Sequence, residues 1–198
     1  EDLTREAKAH AQSMSGARMQ VHVEPIDAFD GHRVTGTLAV LDKSVCDGVA
    51  VVAPAFPEVR AAIDRLQDRG VPVVTLVSDH PASARQHFVG INNVAAGRTA
   101  GRLIGRFLPK EPGKIALIAG SLGLRDHADR YKGCREVIDN EYPHLELLKV
   151  REGRDDNRRK EDLVRKLLSE HPDLTAIYNI GAGNRGVISA IHGCGPAS

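Results

Sequence analysis

What most limits how this chain can fold is a pair of unbroken apolar runs set between amphipathic segments. Gly48-Val-Ala-Val-Val-Ala-Pro54 and Pro72-Val-Val-Thr-Leu-Val77 lack the polar alternation of a half-exposed strand. Runs of this kind read as strands buried on both faces, as in a parallel sheet covered by helices. Between them, residues 57–68 have helical spacing, with Pro57 at the first turn, Ile63 and Leu66 inside, and Gly70 as the stop. Strand, helix and second buried strand make a right-handed βαβ crossover.

The alternation continues in both directions. Ahead of the first run, the pattern predicts a helix over residues 4–14, a short strand over 19–23 and a helix over 34–45 with Leu38, Leu41 and Val45 on one face. Beyond the second run it predicts a helix over 94–107, with Leu103, Ile104 and Phe107 facing inward, and a strand over 114–119. Further on come a helix over 128–141, a strand over 145–150, a helix over 157–169, a strand over 176–180 and a last helix over 185–191. The polar stretch 78–94 looks like a chain leaving one sheet for another. The expectation is therefore an α/β protein of two lobes, residues 1–92 and 93–198, each a parallel sheet flanked by helices.

Composition removes several classes of function. With 27 Lys+Arg against 26 Asp+Glu, the net charge is +1, which excludes a polycation that binds nucleic acid through neutralised phosphates. Aromatic residues make up 4% and Trp is absent, so a stacking platform for sugars or bases would have few members. Cys46, Cys134 and Cys194 are widely spaced, without a CxxC pair or a Cys/His set at zinc spacing. They read as packing residues in a reducing compartment, and no metal site or cofactor is expected. No apolar run is long enough to span a bilayer, and the first residues do not resemble a secretory leader. A cytoplasmic location, away from membranes, is the expectation.

Ligands of open α/β sheets bind at the C-terminal ends of the strands. Those ends carry Ser78 and Asp79, then Ser121, Arg125, Asp126 and His127, then Glu152, Arg154 and Asp155, and finally Asn179 and Asn184. Asp, Asn and Arg can each pair with two neighbouring hydroxyls, which suits a polyhydroxylated ligand. Helix caps and inter-loop ion pairs are the competing roles. The mixed-sign run 151–162 reads as the start of a solvated helix with Asp155 or Asp156 as its cap.

Two motifs point elsewhere. Gly181-Ala-Gly-Asn-Arg-Gly186 matches the dinucleotide fingerprint, but no acidic residue follows Gly186 to hold a ribose. Ala119-Gly-Ser-Leu-Gly123 is one residue away from a nucleophile elbow, with Ser121 as nucleophile and His144, His171 or His192 as partner. A glycine-rich turn and a turn-forming serine are the plainer readings of the two.

Several segments together resemble a known family. They are Gly70-Val-Pro-Val-Val-Thr-Leu-Val-Ser-Asp79, Val89-Gly-Ile-Asn-Asn-Val-Ala-Ala-Gly-Arg-Thr-Ala-Gly101, Lys114-Ile-Ala-Leu-Ile-Ala-Gly120, Arg130-Tyr-Lys-Gly133 and His171-Pro-Asp-Leu-Thr-Ala-Ile-Tyr178. In order and content this is similar to the type I periplasmic-binding-protein fold, above all to the effector-binding module of LacI-type transcription regulators. The resemblance implies two lobes with a sugar or similar small polyol in the cleft between them, and no catalysis. It further implies a homodimer, with closure reported to DNA through a headpiece outside this chain. The alternative it implies is a periplasmic sugar-binding protein of an ABC transporter.

Carried onto this sequence, the ligand-binding positions are Ser78, Asp79, Arg125, Asp126 and Asn179. Three departures from the family pattern accompany them. The pocket arginine falls on Ala128, the Asn-Asp after the Tyr178 strand is replaced by Ile-Gly-Ala-Gly, and the strand acid falls on or beside Val77, with Ser78 and Asp79 as its neighbours. By the family's pattern the opening strand would precede Glu1 and the last strands would follow Ser198.

Overall fold

The computed structural model describes residues 2–14 and 19–193. Cys194 lies outside them. The described part alternates helices and parallel strands, grouped into two separate sheets.

The first sheet is built from β1 (Val49–Val51), β2 (Val73–Leu76) and β3 (His87–Val89), paired in that order and all parallel. Helix α1 (Asp2–Ser13) opens the chain, and α2 (Gly31–Ala39) and α3 (Pro57–Asp68) follow. Both α2 and α3 pack into one core, in which Val34, Leu38, Val59, Ile63, Leu66 and Val73 are buried. Each such aliphatic side chain contributes about 1.5–3 kcal/mol by leaving water. Helix α3 has the predicted bounds: Pro57 occupies its first turn and Gly70, at φ +79°, ends it.

The second sheet centres on β4 (Gly113–Ala119). On one side β4 pairs with β5 (Leu145–Leu147) and then β6 (Arg151–Glu152), and on the other with β7 (Leu174–Asn179). Helices α4 (Asn93–Phe107) and α5 (Arg125–Glu141) contribute to the core holding Ile115, Cys134 and Ile138. Helices α6 (Asn157–Glu170) and α7 (Asn184–Gly193) contribute to the core holding Ala116, Ile118, Val164 and Val187. Residues of β4 therefore alternate between two cores, and Ile115 to Ala119 are fully buried. Strand β4, predicted only as a strand, is thus the parallel strand covered on both faces that the apolar pattern anticipates at residues 48–54 and 72–77.

Several expectations need correction. Residues 19–23 form no strand; Met19 and Val23 are exposed, at 52% and 40%. Alternating valines favour a strand only where a neighbouring edge can pair with them. Strand β1 is covered on one face only, since Ala50 is exposed between half-buried Val49 and Val51. Helix α2 starts earlier and stops sooner than residues 34–45. Asp30 caps it by accepting from the Arg33 N–H, and beyond Ala39 the Asp42 carboxylate takes the Ser44 N–H and hydroxyl in a turn that leaves Val45 exposed. Helix α5 begins at Arg125 rather than 128. The strand predicted over 145–150 is interrupted at residues 148–150 before pairing resumes in β6.

The largest correction concerns α4. Its inward face consists of Asn93, Gly97, Gly101 and Gly105, whereas Leu103 and Phe107 are 46% and 81% exposed. Glycine has no hydropathy to mark a face, yet it allows the α4 and α5 backbones into direct contact. Gly133 of α5 meets the Val94 carbonyl, and Gly97 meets that of Arg130.

Candidate functional site

The two lobes touch at the C-terminal ends of their strands. The Ala55 N–H donates to the Gly123 carbonyl at 2.9 Å, and the Arg125 N–H donates to the Ser78 hydroxyl at 3.0 Å. At another point Arg154 donates to Asp27 at 2.9 Å. A cleft of about 200 Å³ lies at this junction, lined among others by Val77, Asp79, Phe88, Asn92, Arg125 and Asp126. Phe88 and Asn92 come from β3 and the crossing segment, Asp79 from the loop after β2, and Arg125 and Asp126 from the first turn of α5. A larger groove of about 350 Å³ runs along the second lobe past Tyr131, Arg135 and Leu147. It draws on one lobe alone and lacks convergent polar groups from two sides, so the interlobe cleft is the better candidate.

A backbone device places the first-lobe residues. Val77 has φ +62°, and the Ser78 N–H donates to the Leu76 carbonyl at 2.6 Å, closing a three-residue turn. A β-branched residue there is strained. It is held because the Val77 N–H is fixed by the Val89 carbonyl of β3 at 2.9 Å. The turn sends Ser78 and Asp79 inward, where they are 1% and 8% exposed.

Of the five predicted ligand residues, the structure brings Asp79, Arg125 and Asp126 together on the cleft wall. Asp79 accepts from Thr75 at 2.6 Å and makes a two-pronged pair with Arg85. Burial would raise its carboxyl, but the Arg85 and Thr75 hydrogen bonds outweigh that and hold it below the ordinary carboxylate range. The Arg125 side chain pairs with Asp129 one turn along α5. Asp126 is 5% exposed; its Oδ1 has no hydrogen-bond partner, while Oδ2 lies 3.6 Å from His127 Nε2 and 3.9 Å from Arg130. Ser78 serves the interlobe hydrogen bond. Asn179 is turned into the second lobe, where its Oδ1 accepts from Lys160 at 2.7 Å and its amide donates to Asn184.

Beneath the cleft lies a polar cluster that joins several of the strand-end residues to Lys160, which the sequence reading did not single out. Lys160, placed by its charged neighbourhood on a solvated helix, is fully buried. Its ammonium donates to Asp155 at 3.0 Å, Asn179 at 2.7 Å and the Ala182 carbonyl at 2.6 Å. His127, 3% exposed, accepts at Nδ1 from the Gly120 and Ser121 N–H groups, which places the proton of the neutral ring on Nε2. Burial pushes this imidazole below its ordinary value, against the pull of Asp126 and Asp155. The sequence cue to Lys160 was the cap: of Asp155 and Asp156 it is Asp156 that caps α6, and Lys160, one turn later, falls on its inner face.

The remaining motifs acquire packing roles. Ser121 Oγ accepts from the Gly123 N–H in a tight turn. Gly181 and Gly183 have φ of +93° and +82°, and Gly186 lies against the Asn157 backbone, where a side chain would collide. Among the described residues, no group of three His, Cys, Asp or Glu is placed to hold a metal ion, and no helix is long and apolar enough to cross a membrane.

The sequence profile of the periplasmic binding protein domain matches residues 38–197. The chain belongs to this family. The solved structures it resembles place this periplasmic-binding-protein domain in the type I fold. An ABC transporter solute-binding protein from Burkholderia graminis, in complex with D-arabinose, is 26% identical, with a TM-score of 0.85 over 96% of this chain and 65% of that one. A sugar-binding protein of a sugar ABC transporter from Bacillus halodurans is also 26% identical, with a TM-score of 0.79 over 98% and 66%. GanP, a glucose-galactose binding protein from Geobacillus stearothermophilus, is 22% identical, with a TM-score of 0.82 over 97% and 68%, and shows the fold alone. The periplasmic-binding-protein domain described here thus spans about two-thirds of the length of these proteins. No curated protein matches it in sequence.

Proposed function

We propose that this domain is the sugar-binding unit of a transport receptor, taking a small polyol between lobes that divide near residues 92 and 93. The observation that carries this reading is the convergence of Asp79, Arg125 and Asp126 on a cleft at the strand ends of two sheets. Support comes from the two 26%-identical proteins, both sugar or solute receptors of ABC transporters. Asp126 is the primary contact, accepting a ligand hydroxyl, with Arg125 and Asp79 beside it. Ser78 and Asn179 do not line the cleft; Ser78 holds the contact between the lobes and Asn179 holds Lys160. Binding without chemistry is the whole activity.

The competing reading is a cytoplasmic, homodimeric LacI-type regulator that passes ligand occupancy to DNA through a headpiece. It rests on the motif order alone, whereas the transport reading also has the likeness to transport receptors.

Titration calorimetry with D-arabinose, D-glucose, D-galactose and D-fructose tests the binding reading. Saturable heat with at least one sugar, reduced tenfold or more by Asp126→Asn, is expected. Silence from all four, with no thermal shift, would overturn it. The coding frame upstream of Glu1 separates transport from regulation: an export leader supports the receptor, and a helix-turn-helix segment the regulator.

A further inference from the structure

The lobes are bridged by Arg154, one of the strand-end residues, which spends its side chain on the opposite lobe. Arg154, in the second lobe, donates to Asp27 Oδ2 at 2.9 Å, and its guanidinium lies over the Phe29 ring, 5.6 Å from the centroid. The receiving side is ordered in advance. Asp27 Oδ1 accepts from the Phe29 N–H at 2.9 Å and the Asp27 carbonyl from the Asp30 N–H at 3.0 Å, which fixes carboxylate and ring relative to each other. The guanidinium thus meets an anion and an aromatic face together, two contacts that suit its flat, weakly hydrated charge.

The sending side is strained. Arg154 and Asp155 have φ of +50° and +54°, two consecutive non-glycine residues in the left-handed region. Such a pair persists only where its surroundings over-determine it. Here the Gly153 and Arg154 N–H groups donate to Ala119 and Gly120 at 2.8 and 2.9 Å, at the end of β4. Asp155 is gripped by the buried Lys160, which also holds the loop after β7 through Asn179 and Ala182. The internal network of the second lobe therefore aims Arg154 at the first.

We infer that Arg154 is the closing clamp of the cleft, a positioning residue that sets the fraction of molecules with lobes together by bridging to Asp27 and Phe29. The inference rests on the interlobe-binding reading for its effect on affinity, but its effect on lobe closure stands without a ligand. A ligand that touches both lobes binds the closed form, so its apparent affinity scales with the closed fraction. Both partners are near half exposed, so the bridge is weakened by salt.

The test compares the full chain with Arg154→Ala, Asp27→Asn and the exchanged pair Asp27→Arg/Arg154→Asp. Small-angle scattering without ligand reads closure, and calorimetry with D-arabinose and D-galactose at low and high salt reads affinity. The expected result is a larger radius of gyration for both single variants and five- to tenfold weaker sugar binding. Both should be largely restored in the exchanged pair, and the salt dependence of affinity should be lost in the single variants. Unchanged melting temperatures would show that the folds are intact. Scattering curves identical to the parent would overturn the clamp even if sugar binds. If the parent binds neither sugar but Arg154→Ala still opens the molecule, the clamp stands and the sugar reading falls.

Discussion

Gly97 of α4 rests against the carbonyl of Arg130 on α5, at a distance no residue with a Cβ could occupy. The reciprocal contact, Gly133 against Val94, lies close by. Together they set the spacing of two helices beneath the second-lobe sheet, and with it the position from which Arg125 and Asp126 reach the cleft.

Alanine at either position must push the helices apart. Gly97→Ala and Gly133→Ala are each expected to destabilise by about 1–3 kcal/mol or more, the range for overpacked cores. Gly36→Ala is the control. It lies inside α2 with nothing within 4 Å of an added Cβ, so alanine's helix preference should stabilise by about 0.5–1 kcal/mol. Urea denaturation of the three variants should show opposite signs.

Lys160→Met removes a fully buried cation from among oxygens that are themselves only partly buried, the Asp155 side chain being 23% exposed. Asp155, Asn179 and the Ala182 carbonyl lose their donor at once. Breaking a fully buried pair from one side costs about 3–5 kcal/mol, and water reaching Asp155 lowers that, so the denaturation midpoint should still fall at constant slope. A midpoint within error of the parent would contradict the assigned contacts.

Asp79 has its folded pKa lowered, so the stability it contributes is present above its unfolded value, near 3.8, and is lost as pH falls through the lower folded value. Asp79→Asn should therefore be less stable than the parent at neutral pH, and the two acid-unfolding curves should converge below about pH 4. Circular dichroism across pH 2–7 follows the convergence.

His127 works with the same sign but in a higher pH window and for a different cause. Its folded pKa is lowered by burial, so the ring is neutral in the fold while the unfolded chain takes up a proton near 6.5. Stability is full above that pH and declines as pH falls toward the folded value. In His127→Gln, whose side-chain oxygen can accept from Gly120 and Ser121, this decline should vanish. Melting temperatures of parent and variant at pH 5 and pH 8 make the comparison.

Cys134 is packing rather than chemistry. Burial pushes its thiol up to about 11, and it sits where Gly101 approaches α5. Thiol labelling of the native protein should modify Cys46, which is half-buried, well before Cys134.

How much of this was legible beforehand depends on the range of the interactions involved. Helix α3, strand β4, the cap at Asp156 and the division into two sheets follow from apolar runs and from local chemistry at element ends. Those are short-range signals that one stretch of chain carries by itself. The helical glycines were legible only as residues; that they form a contact face needed α5 on the other side. Residues 19–23 carry a strand's alternation, but pairing depends on a neighbour far along the chain.

The site divides the same way. The amino-acid sequence alone determined that Ser78, Asp79, Arg125, Asp126 and Asn179 stand at strand ends, where a ligand could be met. Only the tertiary structure decided which of them face the cleft and which are engaged elsewhere. Thr75 and Arg85 surround Asp79, the Arg125 backbone claims Ser78, and a lysine nineteen residues earlier claims Asn179. The reason is desolvation: once the lobes bury these polar groups, each must find a partner wherever the fold brings one, and no local pattern names it.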